Sequence, residues 1–113
     1  MCFKDSLQAI LQVITRKYQK LFGRQLKKVY LYGLYARGDY DDESDIDVVG
    51  IVDYDDDELS EANRKLIRTA SDLNLEYDVM LSPTTIPAKC FYEYQDTLPY
   101  FRNILTEGAE LVA

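Results

Sequence analysis

The sequence predicts a single α/β (α+β) domain in which helices pack on one face of a small mixed β-sheet. Three observations predict this class. The chain has 113 residues, a length suited to one compact domain, which we expect to span residues 1–113. Apolar residues recur at helical spacing in two long segments. Short runs in which apolar and polar residues alternate lie between and after these segments, as in strands.

The amino-terminal segment is predicted to form a helix because its apolar residues recur at three- and four-residue steps. These residues are Leu7, Ile10, Leu11, Ile14, Tyr18, Leu21 and Phe22. Asp5 or Ser6 can cap the start of this helix, and Gly23 can end it. Residues 26–32 then alternate in the way that is typical of a strand. The chain is therefore expected to begin with a helix followed by a strand.

A polar turn region that contains two glycines separates the first strand from the second. It covers residues 33–44, and residues 45–52 then alternate as a second strand. Asp45 and Asp47 are expected on one face of this strand, because side chains two residues apart point the same way. The apolar residues between and after them then face the core.

A second long helix is predicted to follow an acidic approach at residues 53–58 and to run to about Leu73. Its buried stripe contains Leu59, Ala62, Leu66, Ile67, Ala70 and Leu73. Asn74 is expected to end this helix, and residues 75–81 are expected to form a third strand. Ser82-Pro83 would break that strand.

The carboxy-terminal part is less regular. Residues 87–96 fit either a helix or an extended loop, and the pattern does not decide between them. Pro99 suits the first turn of a last helix that ends at Gly108. Residues 111–112 are predicted to add a short extended end.

The composition excludes several classes of function. Thirteen basic and twenty acidic residues give a net charge of -7, which disfavours non-specific binding to nucleic acid or to an anionic membrane. The chain has no histidine, which excludes a Ser-His-Asp triad and disfavours a zinc site. Its two cysteines make no disulfide framework. Catalysis must therefore use carboxylates, hydroxyls, lysines or a metal ion that prefers oxygen ligands.

Charge and hydropathy also bear on the location of the protein. The basic residues of the first helix fall mostly on the side away from its apolar stripe, where we expect a solvated face. No stretch approaches the roughly 20 apolar residues that a membrane span needs. Asp5 and Gln8 interrupt any apolar core of a signal peptide. We therefore expect a cytoplasmic protein without a membrane partner.

Three carboxylates on predicted strands are candidate metal ligands. Asp45 and Asp47 would lie on one face, about 7 Å apart along the strand. Asp78 lies between apolar neighbours on the next predicted strand. Carboxylates held together repel each other unless a cation compensates, and oxygen ligands suit Mg²⁺ or Mn²⁺. The alternative is that all three are ordinary residues on the solvent faces of strands.

The glycine segment at residues 33–38 has the glycine spacing of a P-loop. Asp39-Tyr40 stands where that motif requires Lys-Ser or Lys-Thr, so a P-loop is excluded. An EF-hand is excluded as well, because its glycine and its last glutamate are missing from both acidic segments. What remains is a strand, a glycine turn whose backbone N–H groups can face an anion, and an Asp-x-Asp strand.

This arrangement resembles the minimal nucleotidyltransferases of the DNA polymerase beta-like superfamily. The matching segments are Gly33-Leu34, Ala36-Arg37-Gly38 and Ser44-Asp45-Ile46-Asp47, with Asp78 as the third family carboxylate. The segment from Arg102 to Gly108 is similar to the closing helix of the family. One residue departs from the family pattern, because Leu34 replaces a serine whose hydroxyl would bind phosphate.

The resemblance implies a single nucleotidyltransferase domain. It would transfer a nucleoside monophosphate, which we expect to be AMP, from an NTP to a hydroxyl group. Asp45, Asp47 and Asp78 would be the catalytic carboxylates and would hold two Mg²⁺ or Mn²⁺ ions. Gly33, Leu34 and Arg37 would bind the nucleotide phosphates. The acceptor would be a protein or a small molecule.

The resemblance also implies a partner, because small members of this family pair as antitoxins with helical HEPN-type toxins. We therefore expect either a HEPN-like partner or a homo-oligomer. The alternative function is a catalytically degenerate, antitoxin-like module that binds the partner, with Leu34 as the mark of lost activity. A third alternative is a plain acidic interaction domain without a ligand.

Overall fold

The computed structural model describes residues 3–33, 45–54 and 56–112. In chain order, its elements are α1 (Phe3–Phe22), β1 (Leu26–Tyr32), β2 (Ile46–Val52), α2 (Asp56–Tyr77), β3 (Leu81–Pro87), α3 (Ala88–Tyr94), α4 (Pro99–Glu107) and β4 (Ala109–Val112). A short 3-10 turn joins α1 to β1. Within the described ranges, every helix is too short or too polar to cross a membrane.

The four strands form one mixed sheet in the order β3-β2-β1-β4. β1 is antiparallel to both β2 and β4, and Tyr32 pairs with Asp47 where β1 ends and β2 begins. β2 is parallel to β3, with Ile46 opposite Leu81. Parallel neighbours need a crossover, and α2 supplies it. The predicted α/β class with a mixed sheet is confirmed.

Helices cover both faces of the sheet, so the prediction that they pack on one face is wrong. One core contains α1 and α2 with alternate residues of the strands, among them Val29 and Val48. A second core on the opposite face contains residues of α3 and α4 with Tyr30 and Val49. Because neighbouring strand residues point to opposite faces, β2 is buried on both sides.

The predicted third strand at residues 75–81 is also wrong. α2 continues past Asn74 to Tyr77, and Asp78 then takes a left-handed backbone conformation with φ of 54°. A residue in this conformation commonly ends a helix, and aspartate adopts the left-handed conformation more readily than most residues do. Asn74 anchors the following turn, because its Oδ1 accepts a hydrogen bond from the Leu81 N–H at 2.7 Å.

The strand that follows includes two prolines, contrary to the prediction that Ser82-Pro83 would break it. β3 lies at the edge of the sheet, where the N–H that proline lacks is not required on the open side. Residues 88–94 are helical, which decides the question left open for residues 87–96. The last helix and the extended end are confirmed as α4 and β4.

α1 is fixed on the sheet by a contact between Tyr18 and Gly50. The Tyr18 side chain is fully buried, and its hydroxyl donates a hydrogen bond to the Thr84 carbonyl at 2.6 Å. A Cβ atom on Gly50 would lie 2.7 Å from Cδ1 of the tyrosine ring. Glycine at this position in β2 therefore makes room for an aromatic side chain from α1.

Candidate active site

The end of β1 and the start of β2 place a glycine turn against a carboxylate. Gly33 follows Tyr32, the residue that pairs with Asp47, and has φ of 80°. A Cβ atom on Gly33 would lie 3.1 Å from Oδ2 of Asp47. The turn therefore requires glycine both for its backbone conformation and for the close approach of the Asp47 carboxylate.

Asp45 lies close enough to Asp47 for its charge to act on the Asp47 carboxyl. Asp45 is exposed just before β2, whereas Asp47 is half-buried at the second position of the strand. Burial raises the pKa of the Asp47 carboxyl, and the neighbouring Asp45 carboxylate raises it further. Both effects oppose a negative charge on Asp47, and a bound cation would relieve them.

Helix α4 brings a tyrosine to this site that the sequence did not indicate. The Tyr100 ring lies edge-on to the Tyr32 ring, with centroids 5.7 Å apart. Burial raises the pKa of the Tyr100 hydroxyl, a hydrogen bond with the Thr84 side chain opposes that rise, and the Asp47 charge adds to it. Tyr100 is 53 residues from Asp47 along the chain, so no local spacing could have revealed the contact.

The third predicted carboxylate lies outside the strands. Asp78 is exposed in the turn after α2. The adjoining segment meets the start of β2, because the Ile46 N–H donates a hydrogen bond to the Met80 carbonyl at 2.8 Å. Among the residues that the structure describes, no three aspartate, glutamate or cysteine side chains form a metal-binding group. Asp45 and Asp47 are thus brought together, but Asp78 does not join them.

Two predicted nucleotide-binding residues, Leu34 and Arg37, fall outside the described residues. Gly33 is the last described residue before them. Their predicted contacts with phosphate therefore stay predictions.

The residues present fit a hard divalent cation. Mg²⁺ is usually bound through one or two protein carboxylates, with waters and substrate phosphates as its other ligands. Asp45 and Asp47 supply two neighbouring carboxylates, and burial of Asp47 together with the charge of Asp45 makes an ionised Asp47 costly without a cation.

The sequence matches the family described as nucleotidyltransferase domain over residues 10–112. The chain belongs to this family. The protein is therefore a nucleotidyltransferase, and the family resemblance predicted from the glycine turn and the Asp-x-Asp strand is confirmed.

Two curated proteins of Methanocaldococcus jannaschii are similar to this nucleotidyltransferase. One, named putative protein adenylyltransferase MJ0604, is 33% identical over 104 residues, which cover 92% of this chain and 95% of that protein. The other, putative protein adenylyltransferase MJ0141, is 39% identical over 74 residues, or 66% of this chain and 73% of that protein. The domain is thus related to proteins named as adenylyltransferases.

Solved structures share the fold. A mutant of the MntA-HpeT toxin-antitoxin matches with a TM-score of 0.56 at 16% identity, over 90% of this chain and 71% of that one. A toxin-antitoxin solved with AMP-PNP matches with a TM-score of 0.53 at 21% identity, over 87% and 72%. At these identities the comparison shows a common nucleotidyltransferase-type fold.

Proposed function

We propose that this nucleotidyltransferase transfers AMP from ATP to a hydroxyl group of a protein acceptor in a reaction that depends on Mg²⁺ or Mn²⁺. The observation that carries the proposal is the contact of the Gly33 turn with the Asp47 carboxylate, beside Asp45. This contact supports the proposal, because backbone N–H groups that can face phosphates lie next to the two carboxylates that would hold the metal. The adenylyltransferase names of the two relatives support AMP as the transferred group.

Asp45 and Asp47 hold the cations in this proposal. Two bound metal ions would neutralise the triphosphate and make the acceptor hydroxyl more acidic. Asp47 is the more constrained ligand, because the Gly33 turn and the face covered by α4 limit where its carboxylate can point. Asp45 is exposed and is free to adjust to the substrate.

The glycine turn binds the phosphates. Gly33 and Leu34 offer backbone N–H groups to the β- and γ-phosphates, and Arg37 adds a positive charge. The acceptor oxygen then forms a bond to the α-phosphorus while the bond to pyrophosphate breaks. The acceptor proton passes to solvent in this proposal, because Asp78, the base that the family pattern implies, does not join Asp45 and Asp47 in the structure.

The acceptor is proposed to be a helical partner protein of the HEPN type. Solved structures of similar fold are toxin-antitoxin proteins, and one of them was solved with AMP-PNP.

A second candidate function is a partner-binding antitoxin-like module that no longer catalyses transfer. The observation that favours it is Leu34, which replaces a phosphate-binding serine hydroxyl. A lost donor to a charged group costs roughly 1.5–3 kcal/mol. For the Leu34→Ser variant, we expect tighter nucleotide binding or faster transfer, measured side by side with the wild type. An unchanged affinity and rate would mean that residue 34 does not touch phosphate.

The direct test is co-expression with the protein encoded beside it, followed by purification and incubation with ATP and Mg²⁺. Intact-mass spectrometry should show the partner gaining one AMP. Asp47→Asn should abolish the gain, whereas Asp53→Asn should retain it, because Asp53 is exposed beyond the other end of β2. Binding of ATP in calorimetry without any transfer would favour the antitoxin-like module, and transfer by Asp47→Asn would contradict the metal assignment.

A further inference from the structure

A basic groove lies between α1 and α2, away from the candidate active site. Its volume is about 650 Å³. Its lining residues are Lys17, Lys20, Leu21, Lys65, Arg68, Thr69 and Asp72. The two helices pack on the sheet face opposite to the one that carries Asp47. The groove is therefore separated from the Gly33 turn by the sheet.

Four cationic side chains line the basic groove, and Asp72 is the one carboxylate among its lining residues. None of the four forms an ion pair with a carboxylate that the structure describes. By contrast, Arg64, the neighbour of Lys65, lies 3.7 Å from Glu61. These four cations thus lie around one groove without an ion-pair partner among the described carboxylates, although the net charge of the whole chain is -7.

The spacing of these cations indicates the kind of ligand. Lys17 and Lys20 are one helical turn apart on α1, and Lys65 and Arg68 are one turn apart on α2. Two cationic pairs therefore lie on opposite walls of the groove, which gives an extended patch of positive charge rather than a single point. Like charges at this spacing repel, and a linear anion that lies between the two walls would remove the repulsion.

We propose that the basic groove binds a ligand that carries two or more linked phosphates, either free polyphosphate or the phosphate tail of a nucleotide. Such a chain carries several negative charges in a row, which can contact cations on both walls at once. Lysine ammonium groups bind phosphate as point charges, and the arginine adds a fork of N–H donors. This binding needs no metal ion and does not depend on the transferase reaction.

The test is isothermal titration of the wild-type protein in EDTA with inorganic tripolyphosphate, ATP and AMP. Tripolyphosphate and ATP should bind with similar affinity, AMP should bind at least about tenfold more weakly, and binding should weaken as salt is added. Binding of ATP and AMP without tripolyphosphate would show recognition of the nucleoside and would overturn the proposal. Failure of all three ligands to bind would overturn it too.

Variants then locate the site. Lys65→Glu with Arg68→Glu should lower the affinity for tripolyphosphate by at least about tenfold, because both residues are exposed and their reversal leaves the core intact. Lys17→Gln with Lys20→Gln should give a smaller loss. Lys89→Glu with Arg102→Glu makes the same change in net charge on α3 and α4 and should bind like the wild type. A loss in Lys89→Glu with Arg102→Glu as large as that in Lys65→Glu with Arg68→Glu would show only a general effect of charge and would contradict the groove.

The proposed active site provides an independent control. Asp47→Asn should leave metal-free binding of tripolyphosphate unchanged, since Asp47 lies on the other face of the sheet. A clear change of binding in Asp47→Asn, expected as a gain where a negative charge beside the anion is removed, would place the anion at the active site and overturn the proposal. Failure of the groove to bind phosphate would leave the transferase assay unaffected, so the two proposals can fail separately.

Discussion

Gly33 meets two demands that no other residue type satisfies together. Its φ of 80° lies in the left-handed region, where a Cβ atom costs roughly 1–2 kcal/mol. The same Cβ atom would approach the Asp47 carboxylate to 3.1 Å. Gly23 shares the first demand, with φ of 54°, but a Cβ atom there would meet nothing within 4 Å. A comparison of substitutions at the two glycines therefore separates the effect of backbone strain from the effect of a Cβ atom that crowds the Asp47 carboxylate.

Gly33→Ala is expected to lower the free energy of unfolding by about 1–2 kcal/mol and to weaken Mg²⁺-dependent nucleotide binding. Gly23→Ala should cost a similar amount of stability and leave binding unchanged. Urea denaturation and calorimetry measure the two effects. If Gly33→Ala binds nucleotide as well as Gly23→Ala does, its Cβ atom does not disturb Asp47.

At Asp47, the proposed site requires an ionised carboxylate, whereas the stability of the fold favours a protonated one. Burial and Asp45 raise the pKa of its carboxyl, so the folded state holds this proton more tightly than the unfolded state does. The resulting stabilisation is present below the unfolded pKa and is lost as pH rises through the folded pKa. At neutral pH and without metal, ionised Asp47 therefore destabilises the fold.

Asp47→Asn is expected to raise the melting temperature by a few degrees at pH 7 in EDTA, because it removes the buried charge and its repulsion from Asp45. The difference should shrink as the pH falls to about 3, where the wild-type carboxyl is protonated. Asp53→Asn serves as the matched exposed control and should change little at either pH. A lower melting temperature for Asp47→Asn would mean that its charge is already compensated.

At the scale of elements, β2 is the strand on which the site depends. It is buried on both faces. Of its two neighbours, β1 runs antiparallel to it and β3 runs parallel to it. Its even-numbered residues pack against α1 and α2, whereas Val49 and Ile51 pack with α3 and α4. Asp47 lies on the second face, which explains why it is half-buried although its neighbours in sequence predicted a solvent face.

Gly50→Ala is expected to lower the free energy of unfolding by about 1–3 kcal/mol, because the added methyl group overlaps the Tyr18 ring. The double variant Gly50→Ala with Tyr18→Leu should lose less than the sum of the two single changes, since the smaller side chain leaves room for the methyl group. Chemical denaturation of all four proteins completes the cycle. Additive losses would show that Tyr18 and Gly50 do not interact.

At the scale of the whole molecule, the candidate active site and the basic groove differ in charge and lie on opposite sides of the sheet. The candidate active site is acidic, with Asp45 and Asp47 beside the glycine turn, whereas the basic groove lies on the other face. An acidic site binds a triphosphate poorly unless a cation accompanies it. Nucleotide at the active site should therefore depend on metal, in contrast to phosphate in the groove.

ATP with Mg²⁺ is expected to raise the melting temperature of the wild type by several degrees, because a ligand at 100 times its Kd stabilises a protein by about 2.7 kcal/mol. Lys65→Glu with Arg68→Glu should retain the part of this increase that depends on Mg²⁺, whereas Asp47→Asn should lose that part. Differential scanning fluorimetry with and without EDTA measures each case. An increase that Asp47→Asn retains in full would mean that the acidic site does not bind the nucleotide.

Local sequence patterns determined much of this protein. Alternation and helical spacing predicted α1, β1, β2 and α4 closely, because those elements bury a face whose period is visible along the chain. The same patterns, with the glycine turn and the Asp-x-Asp strand, indicated the family that the comparisons confirm. The strand predicted at residues 75–81 was wrong, because apolar residues there alternate although they span the end of a helix and a turn.

The tertiary structure alone decided what surrounds the site. α3 and α4 cover the face that carries Asp47, and Tyr100 reaches it from a helix that begins 52 residues later. The basic groove likewise joins cations from two helices. Periodicity along the chain records which residues are buried, but it does not record which element buries them. Contacts between distant segments arise from packing, and the local pattern of a single sequence does not show which segments will pack together.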